Sequence, residues 1–164
     1  MLRAAMGPTF PDDFNLADYF LFDRIREGRG ERVAIRFGEH VLRYAEIADR
    51  AARAATLFLR AGLPRQGRVL IVLRDIPAFA WAFFGTLRAG GVVVMGNPDA
   101  DADTLAYLVR YTGASIVLAP PRVLAELEPL IAAERAGASA GEGGPLLRTF
   151  AVDEPATGGA PHAA

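Results

Sequence analysis

Three aspartates at alternate positions, Asp99, Asp101 and Asp103, have the spacing with which a calcium loop opens. That chemistry needs a glycine at the sixth position for the sharp turn and a bidentate acid at the twelfth. Those positions hold Thr104 and Arg110, so the aspartates read as helix caps and solvated turn residues. Gly85 and Gly90 are spaced like the glycines of a phosphate-binding P-loop, but Gly91 stands where the lysine must be, and Gly85 falls inside a helical pattern where a small residue permits close packing. Gly28-Arg29-Gly30 resembles the start of a dinucleotide fingerprint. It precedes a strand pattern instead of following one, and Val33 replaces the third glycine, so it reads as a turn. Ser115 lacks the Gly-x-Ser-x-Gly surroundings of a nucleophile elbow. His40, in an expected hairpin turn, and His162, near the C-terminus, have no evident carboxylate to orient them as bases. Glu126 and Glu128, two residues apart, fall on different faces of a helix and cannot form a dyad. No catalytic, cofactor-binding or metal-binding residue is therefore assigned, and the substrate-binding residues are unknown.

Composition narrows the chemistry further. All 18 basic residues are arginines, which removes a P-loop lysine, a Schiff-base lysine and a lysine that clamps an adenylate. The absence of cysteine excludes a disulfide scaffold, cysteine-ligated zinc and thiol catalysis. A formal net charge of -1 gives no electrostatic reason to expect nucleic acid or anionic lipid, and the exclusive use of arginine fits a coding bias better than a recognition surface. Residues 1–10 lack the apolar core of a signal peptide. Arg88 and the Gly90-Gly91 pair interrupt the most apolar stretch, residues 76–98, before it reaches the ~20 residues of a membrane span. A soluble, cytoplasmic protein with a folded core follows as the expectation.

The elements that must position any site are legible from the changes in period. Residues 33–37 and 41–43 flank Gly38-Glu39-His40 as an expected hairpin. From Ala45 to Arg60, apolar residues at Ile47, Ala51, Ala54, Ala55, Phe58 and Leu59 trace one helical face, with Glu46–Arg50 and Asp49–Arg53 as acid-before-base pairs on the other; Gly62 and Pro64 end it. Residues 68–73 are aliphatic, as in a strand covered on both faces. Asp75 is placed to cap the next helix, Ile76 to Ala89, with Pro77 in its first turn; this helix is apolar nearly all round and expected to be deeply packed. Gly90-Gly91 stops it, and Val92 to Met95 is a strand. Asp101 or Asp103 caps a helix to about Tyr111, with Leu105, Leu108 and Val109 inward. Gly113 ends that helix, Ser115 to Leu118 is a strand, and Pro120-Pro121 opens a last helix with Val123, Leu124, Leu127 and Ile131 buried. Residues 136–145 read as a flexible loop and 146–152 as one more strand. This alternation predicts an α/β domain over residues 14–153, with a largely parallel sheet, flanking helices and an early β-hairpin, between a tail at 1–13 and a disordered tail at 154–164.

Leu42-Arg43-Tyr44-Ala45-Glu46-Ile47 and the helix after it resemble the first core motif of the adenylate-forming enzymes, which include acyl- and aryl-CoA ligases, peptide-synthetase adenylation domains and luciferases. Leu87-Arg88-Ala89-Gly90-Gly91-Val92-Val93-Val94, running into Asn97-Pro98, resembles their second core motif. The stretch Phe14 to Arg24, followed by Glu27 to Ala34, is similar to the opening of benzoate-CoA ligases. The resemblance spans residues 14–152 and implies only the first part of such an enzyme, which joins a carboxylate to CoA through an acyl-adenylate using ATP, Mg and CoA. The first motif usually has Thr or Ser where Arg43 stands, so the hydroxyl half of a capping box is missing. The family's phosphate loop, ribose-binding acid and C-terminal lysine would follow Val152. The resemblance therefore implies an N-terminal section that supplies scaffold, binds no cofactor alone and is not catalytically competent by itself. Its partner would be the remainder of the ligase or a self-associating copy, with neither nucleic acid nor membrane involved. A non-catalytic binding or docking module is the alternative, and an independent nucleotide-binding domain a third reading.

Overall fold

The computed structural model describes residues 14–137 and 147–153. A π-helical turn, Asp18–Phe22, runs into a short helix α1, Asp23–Arg26, and on to an antiparallel hairpin of β1, Val33–Phe37, and β2, His40–Arg43. Then come α2, Tyr44–Arg60; β3, Arg68–Ile71; α3, Pro77–Arg88; β4, Val92–Met95; α4, Ala102–Thr112; β5, Ala114–Ala119; α5, Pro121–Gly137; and β6, Arg148–Ala151. The last four strands form one parallel sheet in the order β4-β3-β5-β6. The fold is the expected α/β arrangement with a parallel sheet, helices and an early hairpin.

The sheet is covered on both sides, and its residues divide between the two by the two-residue period of a strand. Val69, Ile71 and Leu73 join Phe58 of α2 and Ala78 and Ala82 of α3 in one apolar layer. Leu70 and Val72 join Leu105 and Val109 of α4 and Leu124 and Leu127 of α5 in the other. The central strand β5 is buried at all six positions, which is why its sequence, Ala-Ser-Ile-Val-Leu-Ala, shows no alternation. A third cluster, Leu21, Ile47, Ala48 and Ala51, seats the leading helical turns and the hairpin on α2.

Several local expectations change. His40 pairs with Phe37 as the first residue of β2, leaving a two-residue turn of Gly38-Glu39 in which Gly38 has φ 55°. Leu59 is exposed, because the buried stripe of α2 runs through Ile47, Ala48, Ala51, Ala55 and Phe58. Asp75 does not cap α3. Ile76 occupies that position in an extended conformation with no side-chain cap, as expected for the residue before Pro77. The Glu46–Arg50 pair is not made: the Glu46 carboxylate accepts a hydrogen bond from the Arg43 N–H at 2.8 Å, and Arg50 lies over the Trp81 ring at 4.7 Å. Asp49 and Arg53 do pair, at 2.9 Å. Glu46 thus supplies one arm of a capping box, while the Arg43 guanidinium, which has no acceptor, donates to the Glu31 carbonyl. The loop expected at 136–145 lies almost wholly outside the described residues, as do both tails.

The expectation for α3 is corrected most. Its fully buried residues are Ala78, Ala82, Gly85 and Thr86, whereas Phe79, Trp81, Phe83 and Phe84 are only half-buried. The reason is the close approach of α2 and α3, the most extensive helix–helix contact in the fold. A Cβ at Gly85 would lie 2.7 Å from the Ala54 Cβ and 3.0 Å from the Ala51 carbonyl oxygen. With small residues at the contact line, the rings of α3 project to either side of it. Gly85→Val should therefore lower stability by about 1–3 kcal/mol, since neither backbone can yield without disturbing the sheet contacts beneath. Urea unfolding followed by circular dichroism checks this, and a midpoint equal to that of the unsubstituted chain would show that the helices are free to separate.

Candidate functional site

Open α/β sheets bind ligands beyond the carboxyl ends of their strands, at the point where strand order reverses. Here the chain steps from β3 outward to β4 and then returns to place β5 on the other side of β3, so the reversal lies between β3 and β5. Backbone bonds hold this end together: Val72 N–H donates to the Leu118 carbonyl at 2.8 Å, Gly96 N–H to the Ile71 carbonyl at 2.9 Å and Val152 N–H to the Ala119 carbonyl at 3.0 Å. Gly96 is confined, since a Cβ there would meet the Val72 side chain at 3.1 Å.

The side chains gathered at this end are Arg74, Asp75, Asn97, Asp99 and Asp101. Arg74, beyond β3, forms an ion pair with Asp99, beyond β4. The Asn97 side-chain oxygen accepts from Asp99 N–H at 3.0 Å and sets the turn. Asp101 caps α4, accepting from Thr104 N–H at 2.7 Å, and α4 ends at Gly113 in the left-handed conformation. Asp101 and not Asp103 makes the cap, and Asp99 pairs with Arg74 instead. Among the described residues no group of three His, Cys, Asp or Glu could hold a metal ion.

Of the cations at this end of the sheet, Arg74 faces Asp99 and Arg122 stands in the first turn of α5. The helices that follow β3 and β5 both begin with proline, Pro77 and Pro121, so each lacks an N–H that an anion-binding helix terminus would offer. The remaining sequence candidates lie apart. Gly28, with φ 75°, and Gly30 form the turn between α1 and β1. Ser115 is buried in β5, and His40 is exposed on β2. Glu126 is exposed on α5, and Glu128 accepts a hydrogen bond from the Thr149 hydroxyl at 2.6 Å. His162 lies outside the described residues.

Two features escaped sequence reasoning. The first is a fastening of the leading segment to the end of α3, inside the second motif. Arg88 pairs with Asp18 at 2.7 Å and covers the Phe22 ring at 3.9 Å, and the Asn15 side-chain amide donates to the Leu87 carbonyl at 2.8 Å. Asn15 also accepts from Ala17 N–H at 2.9 Å, a local turn signal readable in the sequence. The second is a pair of apolar concavities flanking α3. One, of about 300 Å3, lies between the leading segment, the hairpin and Phe83 and Phe84; the other, of about 350 Å3, lies between α2, Trp81 and β6. Neither gathers an acid–base pair.

A parallel sheet with this strand order, carrying both motifs on its helix and strand boundaries, defines an α/β scaffold of the adenylate-forming type. The family described as AMP-binding enzyme matches residues 22–157, and the chain belongs to that family. Among its relatives is the 4-hydroxybenzoate–CoA/benzoate–CoA ligase of Rhodopseudomonas palustris, 33% identical over 116 residues, which are 71% of this chain and 22% of the relative. Triostin synthetase I of Streptomyces triostinicus is 33% identical over 84 residues, 51% of this chain and 16% of that one. A benzoate CoA ligase structure from Burkholderia xenovorans LB400 superposes with a TM-score of 0.67 at 28% identity, covering 84% of this chain and 26% of that one. Apo MatB from Rhodopseudomonas palustris, at 24% identity, shares the fold with a TM-score of 0.68 over 84% of this chain and 25% of its own. The chain thus resembles the N-terminal part of acyl- and aryl-CoA ligases and spans about a quarter of their length or less. No helix among the described residues is long and apolar enough to cross a membrane.

The Asp101 cap is a charge-dependent element of this end of the sheet. Hydrogen bonds from the Thr104 backbone and side chain hold its carboxyl below the ordinary carboxylate range. A folded-state value below the unfolded one means that the cap's contribution is present above the unfolded pKa and is lost as pH falls through the folded one. The melting temperature of the native chain relative to Asp101→Asn, whose amide cap does not titrate, should therefore be level near pH 7 and decline as pH drops below about 4. Thermal melts at several pH values read this, and a pH-independent difference would show that the carboxylate's charge contributes nothing.

Proposed function

We propose that this chain is the N-terminal section of a cytoplasmic aryl-CoA ligase of the benzoate-CoA ligase kind, and that alone it is inert. The observation that carries this reading is the mismatch between scaffold and chemistry. The strand order and both motifs are those of an adenylate-forming enzyme, yet at the reversal of the sheet Arg74 is already paired with Asp99 and both following helices begin with proline. Adenylation places negative charge on a pentavalent phosphorus, and catalysis of it depends on preorganised cations and N–H donors aimed at the transferring group. A chain without lysine has to draw those cations from arginine alone, and Arg74, beyond β3, is engaged with Asp99.

The section's role in this reading is positional. Its buried sheet and the α2–α3 pair form a rigid body on which another part of the ligase holds ATP, Mg, CoA and the acid; this chain alone holds none of them. Its partner is the remainder of such a ligase, and neither nucleic acid nor a membrane takes part. The similarity to the 4-hydroxybenzoate–CoA/benzoate–CoA ligase and to the benzoate CoA ligase structure supports an aromatic acid as the substrate of the assembled enzyme.

The purified chain should show no carboxylate-dependent ATP–pyrophosphate exchange with benzoate, measured as incorporation of labelled pyrophosphate into ATP against a no-acid control. Exchange that rises with benzoate concentration would overturn the assignment of an inert section. A chain that remains monodisperse, with no affinity for the remainder of a ligase, would favour a stand-alone docking module instead.

A further inference from the structure

Helix α4 covers the side of the sheet opposite the α2–α3 pair. Its inward stripe, Leu105, Ala106 and Val109, is buried, while Asp103, Tyr107, Arg110 and Tyr111 are exposed. Those four fall at i, i+4, i+7 and i+8 and so share one face of the helix. Tyr107 is 51% and Tyr111 76% exposed, the latter being the most exposed large hydrophobic side chain among the described residues. The two rings stack, with centroids 5.6 Å apart and planes 18° from parallel, and the Arg110 guanidinium lies over the Tyr107 ring at 5.8 Å. Asp103, in the first turn, makes no ion pair among the described residues.

Along this face the order is acid, tyrosine, then base and tyrosine. An antiparallel copy of the same helix sets Asp103 of each chain opposite Arg110 and Tyr111 of the other, with the two Tyr107 rings meeting near the two-fold axis. One operation thus satisfies charge complementarity twice, and the helix dipoles run in opposite directions. Asp103 and Arg110 stand about 10 Å apart along an axis of about 16 Å, so a single contact engages both ends of α4. A guanidinium carries five N–H donors, so Arg110 can serve a carboxylate of the second copy without leaving Tyr107. A parallel copy would set acid against acid and base against base. An acidic or a basic partner would match one end only, and an apolar one would bury both charges unpaired.

We propose that the outward face of α4 is a self-pairing surface, on which two copies of this chain meet antiparallel across a two-fold axis beside Tyr107, with Asp103 of each copy paired to Arg110 of the other. The inference goes beyond the reading of the chain as a ligase section and does not use the groove beside β6. Tyrosine and arginine are the residues that protein interfaces enrich, because each combines a large flat contact area with a polar end. A contact between one pair of helices stays below the roughly 1,200 Å2 of a stable specific interface, so the dimer is weak and exchanges rapidly.

Analytical ultracentrifugation of the full chain, from about 10 μM to about 1 mM, should show a reversible monomer–dimer equilibrium. Asp103→Arg and Arg110→Asp should each raise the dissociation constant about tenfold or more, since each sets like charges face to face at both ends of the contact. Mixed in equal amounts, the two variants should recover at least the native affinity, because the basic face of one then meets the acidic face of the other. Mixing cannot repair a lost fold, so this recovery separates a broken interface from a broken chain. Tyr107→Ser should weaken the dimer as well, whereas Leu57→Ser, on α2 across the sheet and beside the groove, should leave it unchanged. A chain that stays monomeric over the whole range overturns the proposal, as do variants that remain apart when mixed. Association that Leu57→Ser abolishes and Asp103→Arg does not also overturns it, and assigns the contact to the other layer.

Discussion

The arrangement depends on how near two helices can come. Gly85 of α3 sits against Ala54 and the α2 backbone with no room for a methyl group, and Ala51, Ala55, Ala78 and Ala82 continue the same line of small side chains. Close packing of this kind brings two backbones together at the expense of any large residue between them. Four aromatic residues within six positions of α3 must then go elsewhere. Phe83 and Phe84, edge to face at 5.4 Å, lie toward the leading helical turns, and Trp81 turns toward β6, where Arg50 covers it. The two concavities beside α3 follow from this single choice of residue.

The leading segment uses one of those displaced sets. Leu21 is buried against α2, while Tyr19 and Phe20 of the same π-helical turn remain exposed. A π turn shifts the register of side chains relative to an α-helix, so the apolar residues of this stretch do not fall on one face. Besides the burial of Ala17 and Leu21, the segment is fastened by Arg88 and by the bond from Asn15 to the Leu87 carbonyl. Its attachment therefore falls on the Leu87-Arg88-Ala89-Gly90-Gly91 motif, which unites the end of α3, the fastening of the leading turns and the entry to β4.

Much of this was legible in the sequence, and what was not has identifiable causes. The alternation of strand and helix, the buried stripe of α5 and the αL stop at Gly113 were readable because each rests on local periodicity or on a residue with one conformational use. Leu59 and the α3 aromatics were read as interior because an apolar residue on a plausible face carries no sign that a neighbouring helix has come too close to admit it. Asp75 was a sound cap by composition, and the proline two residues on, which holds Ile76 extended, decided otherwise. Arg50 was assigned to Glu46 by spacing, yet an exposed pair at that distance offers only a few tenths of a kcal/mol, so a backbone N–H for the acid and an indole face for the base outcompete it. The side chains at the strand reversal were each visible, but their joint arrangement depends on strand order, which no local pattern encodes.

That arrangement shows how a crevice given by the fold can be lined by residues already engaged with one another. The reversal between β3 and β5 provides a crevice by topology alone, and function depends on the groups placed in it. Here Arg74 and Asp99 neutralise each other across its mouth, and Pro77 and Pro121 remove donors from the two helix ends that could otherwise stabilise an anion. These same choices strengthen the scaffold: proline at a first helical turn is preorganised, and an ion pair between successive strand ends fixes their loops. The layer beside β6, with an apolar floor and, among the described residues, an unpaired strand edge, is where the described surface is least complete.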